Sequence, residues 1–246
     1  MRPCTAAAPS LTHLLREPID VARARAQHAA YERLLGDLGC RVQRVASAPE
    51  QADAVFLEDT AVVLPTLAVM TRPGARSRRA EVEAVAAALG AYRPLAHITA
   101  PGTLDGGDVL RAGRTLFVGR ARAPTKRASP SSPPLPRRTA SPCARSTSPA
   151  RCTSSPPSPR WARTRCSSIR SGWLRKFPGW RILEVDRDEP AGANALRIGN
   201  AIVYGAAYPR TRSRLEAAGC QVHAVDVSEL AKAEGAVTCC SVIVEF

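Results

Sequence analysis

Between Ala121 and Gly172 the chain has no aspartate and no glutamate. The same stretch carries eleven basic residues, from Arg122 to Arg170, with a proline or serine every few positions. Outside it, 24 Lys and Arg face 21 Asp and Glu, so most of the formal +14 belongs to one insert and not to the chain as a whole. A nucleic-acid binder acting through this charge is set aside: the charge is confined to the tract, and Trp161 is its only ring for stacking on bases. Long apolar runs are also missing. No stretch approaches the roughly 20 residues that cross a bilayer. The opening Met1-Arg2-Pro3-Cys4-Thr5-Ala6 lacks the apolar core of a secretory leader, so a cytoplasmic protein without a membrane partner is expected. Of the eight cysteines, Cys143, Cys152 and Cys166 fall in the tract and the others are scattered or adjacent. None has zinc-site spacing, and thiols are expected in place of disulfides.

What is present reads as α/β. The 246 residues and 45% apolar content suffice for a full core. Asp20 caps a helix in which Tyr31, Leu34, Leu35 and Leu38 recur at helical spacing, and Gly39 ends it. Cys40 to Val45 alternates as a strand does. Ala61 to Leu64 and Leu67 to Met70 form a hairpin about Pro65-Thr66, followed by a helix over Arg78 to Leu89, its stop at Gly90, and a strand over Leu95 to Ile98. A second hairpin joins Val109 to Ala112 with Thr115 to Val118. Past the tract the order returns: strands over Ala195 to Ile198 and Ala201 to Tyr204, a helix from Arg210 to Ala218, and a strand over Cys220 to Val225. A repeated hairpin, helix and strand, none able to bury its own apolar face, points to copies packed about an axis.

Three segments are dense in chemistry. Asp53-Ala54-Val55-Phe56-Leu57-Glu58-Asp59 sets three carboxylates about an apolar run. Such a run serves equally as a solvated loop or as a site for a planar guanidinium, held by paired charge-assisted hydrogen bonds. Leu104-Asp105-Gly106-Gly107-Asp108-Val109 is ordinary turn chemistry, or a place where backbone approaches a ligand while a carboxylate orients a neighbour. Thr238-Cys239-Cys240-Ser241 leads into Val242-Ile243-Val244, where a thiol at the mouth of a terminal strand is either a buried structural cysteine or a nucleophile.

Together with Thr71-Arg72-Pro73-Gly74-Ala75-Arg76-Ser77-Arg78-Arg79, these segments resemble the dimethylarginine dimethylaminohydrolase family of the guanidine-modifying pentein superfamily. The resemblance covers about Leu11 to Gly119 and Trp173 to Phe246, in the family's order. It implies a pentein-type α/β propeller of five ββαβ units, with residues 1–120 and 173–246 as two parts of one domain and 121–172 as a disordered basic insertion. It further implies Cys239 as nucleophile, Asp105 as the acid orienting a catalytic histidine, Asp53, Glu58 and Asp59 as the guanidinium cradle, and Arg78 as clamp on the substrate carboxylate. No metal or organic cofactor is required. The expected partner is a small guanidinium substrate, methylated arginine, with a homodimer allowed.

The chain departs from the family where it would need a histidine in a Leu-His-Leu-Lys-Ser segment and a second arginine in an Arg-Thr-Asn segment. His13, His28, His97 and His223 match neither and read as structural. The genetic code accounts for both losses. Cys152-Thr153-Ser154-Ser155-Pro156, written TGC ACC TCA AGT CCG, becomes Leu-His-Leu-Lys-Ser when read one base upstream. Arg122-Ala123-Pro124-Thr125-Lys126, treated the same way, yields Ala-Arg-Thr-Asn. The tract is therefore expected to be frameshifted. Hydrolysis of N-methylated arginine to citrulline and dimethylamine is the expected family reaction, impaired in this chain. An arginine deiminase-like hydrolase and a catalytically dead product of a damaged gene are the rival readings. The first ten residues do not resemble the family's opening strand, so an incomplete first unit is expected.

Overall fold

The carboxylate of Asp20 accepts the Arg23 N–H at 3.0 Å and opens the first helix, α1 (Val21–Asp37). The chain leaves this helix through Gly39, whose φ of 87° lies in the left-handed region that other residues enter at a cost. The computed structural model describes residues 17–46, 50–113, 115–119 and 183–246. The tract 121–172 and the opening segment expected to hold an incomplete unit lie outside the described residues.

A short 3-10 helix over Leu57–Thr60 leads into β1 (Ala61–Val63), which pairs antiparallel with β2 (Ala68–Met70). A second 3-10 helix, Arg76–Ala80, runs into α2 (Glu81–Leu89), and β3 (Leu95–His97) returns parallel to β2. A third, Gly106–Asp108, precedes the hairpin of β4 (Val109–Ala112) and β5 (Thr115–Val118). Then β6 (Ala195–Ile198) pairs antiparallel with β7 (Ala201–Gly205), α3 (Pro209–Ala217) crosses over, and β8 (Gln221–Val225) lies parallel to β7. The short α4 (Ser228–Ala231) follows. The described residues thus contain two ββαβ units of the same strand order and sense of pairing, with a third hairpin between them in sequence.

Packing joins the two ends of the chain. Tyr31 and Leu35 on α1 share one apolar cluster with Val55 and Phe56 and with Leu196, Val203, Val225, Val237, Cys239 and Cys240. A second cluster forms where Val82, Val85 and Leu89 of α2 cover Ala61, Ala68 and Met70 of the first sheet. Burying each large side chain of this kind contributes about 1.5–3 kcal/mol. That is how residues some 200 positions apart in sequence are brought to one site.

Two expected strands are absent among the described residues. Neither Cys40 to Val45 nor Val242 to Val244 enters a ladder. Val45, Val242 and Val244 nevertheless pack against the cluster under α2, so their alternation records burial without strand pairing. The helix expected from Arg78 begins as α-helix at Glu81, because Arg78 N–H closes the tighter bond to Ala75 O at 3.2 Å. No helix among the described residues is long and apolar enough to cross a membrane.

Candidate active site

Cys239 sits in a tight turn and not at the head of a strand. Its N–H donates to Ala236 O at 3.0 Å, and the residue is almost wholly buried at 2% exposure. The turn is pinned from two sides. From α1, Tyr31 Oη donates to Val237 O at 2.8 Å and lies 2.7 Å from Ser241 Oγ. From the 3-10 helix before β1, Glu58 N–H donates to Cys239 O at 3.1 Å. A side-chain bond reinforces this second link, with Thr238 Oγ1 donating to Glu58 Oε2 at 2.8 Å. Cys240 is also buried, with Sγ 3.6 Å from Ala236 O. Burial pushes its thiol pKa well up, and the neighbouring Cys239 and Glu58 push the same way. That environment suits an inert packing group.

Asp59 is buried beside Glu58 and has both carboxylate oxygens engaged. Oδ2 accepts from Arg78 Nη1 at 2.6 Å and Oδ1 from Gly107 N–H at 3.1 Å, while its carbonyl accepts Thr71 Oγ1 at 2.6 Å. The Gly107 bond exists because Gly106 presses directly on the preceding turn: a Cβ there would lie 2.0 Å from Glu58 O. The close approach read from Gly106-Gly107 is therefore an approach to the protein's own backbone. Asp105, half-buried at the edge of this contact, has Oδ2 3.4 Å from Gly74 N.

Arg78 is where the structure amends the sequence reading most. Its Nε and Nη2 donate to Glu81 Oε2 at 3.1 and 2.8 Å, and Nη2 also meets the carbonyls of Asp53 and Phe56 at 3.2 and 3.1 Å. With Nη1 on Asp59, this leaves one Nη1 hydrogen, so a two-pronged clamp on a substrate carboxylate is not available in this conformation. The guanidinium that Asp59 cradles here is that of Arg78. Burial opposes the charge on Arg78, but the bonds to Glu81 and Asp59 outweigh it and hold the group above the ordinary arginine range. Burial likewise raises Glu81, against the pull of Arg78 and with the help of Asp53 and Asp59.

The fold therefore brings Glu58, Asp59, Arg78 and the Cys239 turn into one bonded set, touched by Asp53 through its backbone and by the Asp105 segment through Gly107. Sequence reading missed Glu81, which resembles any acid in the first turn of a helix, and the buried Asn194, which bonds Thr238. The histidines are placed elsewhere. His28 is buried on α1 with Nδ1 3.7 Å from Glu32 Oε1, while His97 and His223 lie on β3 and β8, and His13 is outside the described residues. No group of three or more His, Cys, Asp or Glu among the described residues could hold a metal ion.

No protein-family model matches the chain. It is 36% identical over 242 residues to the N(G),N(G)-dimethylarginine dimethylaminohydrolase of Streptomyces coelicolor, spanning 94% of this chain and 90% of that protein. It is 30% identical over 236 residues to the enzyme of the same name from Pseudomonas aeruginosa, with 90% and 89% covered. Among solved structures it is similar to the Pseudomonas aeruginosa enzyme in a Cys-to-Ser mutant form complexed with citrulline, at TM-score 0.69 and 22% identity over 93% of this chain and 91% of that one. It also resembles the N-terminal domain of the cyanobacterial arginine dihydrolase ArgZ bound to substrate, at TM-score 0.65 and 16% identity over 90% and 86%. These likenesses show that the chain shares the α/β fold of those structures.

Proposed function

The chain belongs to the dimethylarginine dimethylaminohydrolase family, and on that premise we propose that its reaction is hydrolysis of N-methylated arginine to citrulline and dimethylamine through a covalent intermediate on Cys239. The observation that carries this reading is the double link between Glu58 and the nucleophile turn, by Glu58 N–H to Cys239 O and Thr238 Oγ1 to Glu58 Oε2. It ties an acid to the turn that carries the thiol, and in this reading a guanidinium bound to that acid presents its carbon for attack. The Cys239 thiolate forms an S–C bond, and the C–N bond to dimethylamine breaks as the leaving nitrogen takes a proton. Water then adds to the thiouronium carbon, the thiolate departs, and the oxygen stays on citrulline.

In this assignment Asp53 and Glu58 face the substrate guanidinium together with the lone pairs of Asp59 that Arg78 and Gly107 leave open, and Asp105 is the acid that orients a base. Arg78 chiefly holds Asp59 in place and offers its one remaining Nη1 hydrogen to the substrate carboxylate. The five-unit propeller, one pentein domain built from residues 1–120 and 173–246, and a cytoplasmic setting belong to the same proposal. Support for the single domain comes from the cluster in which Tyr31, Phe56, Val203 and Val237 pack together.

Catalysis is expected to be impaired, because no histidine in the sequence matches the family's proton-relay segment. The test is citrulline formation from dimethylarginine and, separately, from arginine, by the purified chain and by C239S. Slow turnover of dimethylarginine that C239S abolishes supports the assignment. Preference for arginine would move the chain to the deiminase reading, and turnover surviving in C239S would remove Cys239 as nucleophile.

A further inference from the structure

Asn194, in the stretch entering β6, is buried at 7% exposure and bonds Thr238 twice. Its Oδ1 accepts Thr238 N–H at 3.0 Å, and its Nδ2 donates to Thr238 Oγ1 at 2.7 Å. The orientation of this amide is fixed, since a backbone N–H can only donate and so must face the carboxamide oxygen. Nδ2 is then forced onto Oγ1. A hydroxyl has a single hydrogen, and with Oγ1 already accepting, that hydrogen points at Glu58 Oε2, 2.8 Å away. Glu58 in turn donates its own N–H to Cys239 O. A directed chain of bonds therefore runs from the stretch before β6 through Thr238 to the acid tied to the Cys239 turn.

We propose that Asn194 is a positioning residue: by fixing the direction of the Thr238 hydroxyl it aims the Glu58 carboxylate at the space beside Cys239, where a cationic substrate binds. The inference rests on the reading of Cys239 as nucleophile and of Glu58 as guanidinium-facing acid. Neither Asn194 nor Thr238 need touch substrate. Without the amide, the hydroxyl is free to turn toward other acceptors, and the carboxylate loses the donor that holds one of its oxygens. Asn194 and Thr238 are buried, Glu58 is half-buried, and the acceptor is a carboxylate, so the bond is of the stronger kind.

The test uses the full chain and two alkylating probes of similar size, chloroacetamidine, which is cationic, and chloroacetamide, which is neutral. Labelling of Cys239 is located by tandem mass spectrometry, and thermal stability is recorded for every variant. The informative quantity is the ratio of the two labelling rates, because a general loosening slows or speeds both probes together. In T238V the side-chain volume is kept and the hydroxyl lost, and in T238S the hydroxyl is kept and a methyl lost. T238V and N194A are expected to lower the cationic-to-neutral ratio by about tenfold, the scale of one hydrogen bond to a charged group, while T238S retains most of it. A packing role alone predicts the reverse, with T238S disturbed at least as much as T238V and the ratio intact in both. If N194A does not fold, the T238V and T238S pair decides. A T238V chain with the parental ratio overturns the role of Asn194. A parent chain whose Cys239 shows no preference for the cationic probe overturns the underlying site assignment, and this inference with it.

Discussion

At the scale of single residues, identity was legible and partnership was not. The motif Asp105-Gly106-Gly107-Asp108 marked a close approach, and the structure supplies the object approached, the carbonyl of Glu58. In the same way Arg78 stood out, but its buried partner Glu81, only three residues on, did not, since an acid in a first helical turn is ordinary helix composition. Adding a methyl tests the close contact. G106A would set a Cβ 2.0 Å from Glu58 O and 3.0 Å from Ala61 O, both backbone atoms that no side-chain rotation can move aside. A loss of about 1–3 kcal/mol is expected from such overpacking, read as a lower urea midpoint, with weaker labelling of Cys239 because Glu58 is displaced. G36A is the contrast, since open space surrounds that position on α1 and an alanine there should stabilise by about 0.5–1 kcal/mol. Equal midpoints for the two variants would show that the approach at Gly106 is looser than described.

At the scale of elements, periodicity located both ββαβ units and the hairpin between them to within three residues, with β4, β5 and β6 matching their expected bounds. Turn glycines carried much of that signal, since Gly113 and Gly199 both take positive φ between paired strands. Alternation misled at Cys40 to Val45 and Val242 to Val244 because it reports which side is buried, while a strand also needs a neighbouring edge to bond. The four-residue α4 is too short to show a period at all. One long-range feature no period could show is how α3 starts. It has no side-chain cap of its own, and Glu189, from the segment before β6, accepts the N–H groups of Arg210 and Thr211 at 2.9 and 2.7 Å. Burial pushes the Glu189 pKa up, but those bonds prevail and hold it below the usual carboxylate range. A lowered native pKa means stability that is present above the unfolded value and lost as pH falls through the native one. E189Q should therefore melt below the parent at neutral pH, and the gap should narrow on acidification past the ordinary glutamate pKa of about 4.3. Melting curves for both chains across that range check this, and a gap independent of pH would show that the carboxylate charge at α3 is not what matters.

At the scale of the whole molecule, the described units and the residues of the proposed site lie on either side of the tract, and on the frameshift reading the missing chemistry belongs within it. Glu58, Asp59, Arg78, Asp105 and Cys239 are all retained, whereas the frameshift reading expects the family's relay histidine and second substrate arginine within 121–172 in the neighbouring frame. The consequence is specific. On the proposed assignment, a chain with its acids and thiol but no histidine matching the relay segment is expected to bind a guanidinium cation, yet to lack the group that draws a proton from the thiol and passes one to the leaving amine. General acid–base help of that kind is worth about 10²–10⁴-fold. Carboxylates beside the thiol add to the difficulty, since negative neighbours disfavour a thiolate until a cation binds among them. Replacing residues 121–172 with the alternative-frame segment should therefore raise kcat by about two to four orders of magnitude and raise the melting temperature, because the restored tract adds a ββαβ unit to pack against its neighbours. KM should fall as well, as the second arginine takes up the substrate carboxylate that Arg78, already bonded to Asp59 and Glu81, can meet with only one hydrogen. The measurement is dimethylarginine turnover by both chains at equal concentration of folded protein. Equal kcat would mean that a residue already present in this chain performs the proton transfers, and the frameshift account of the impairment would fall.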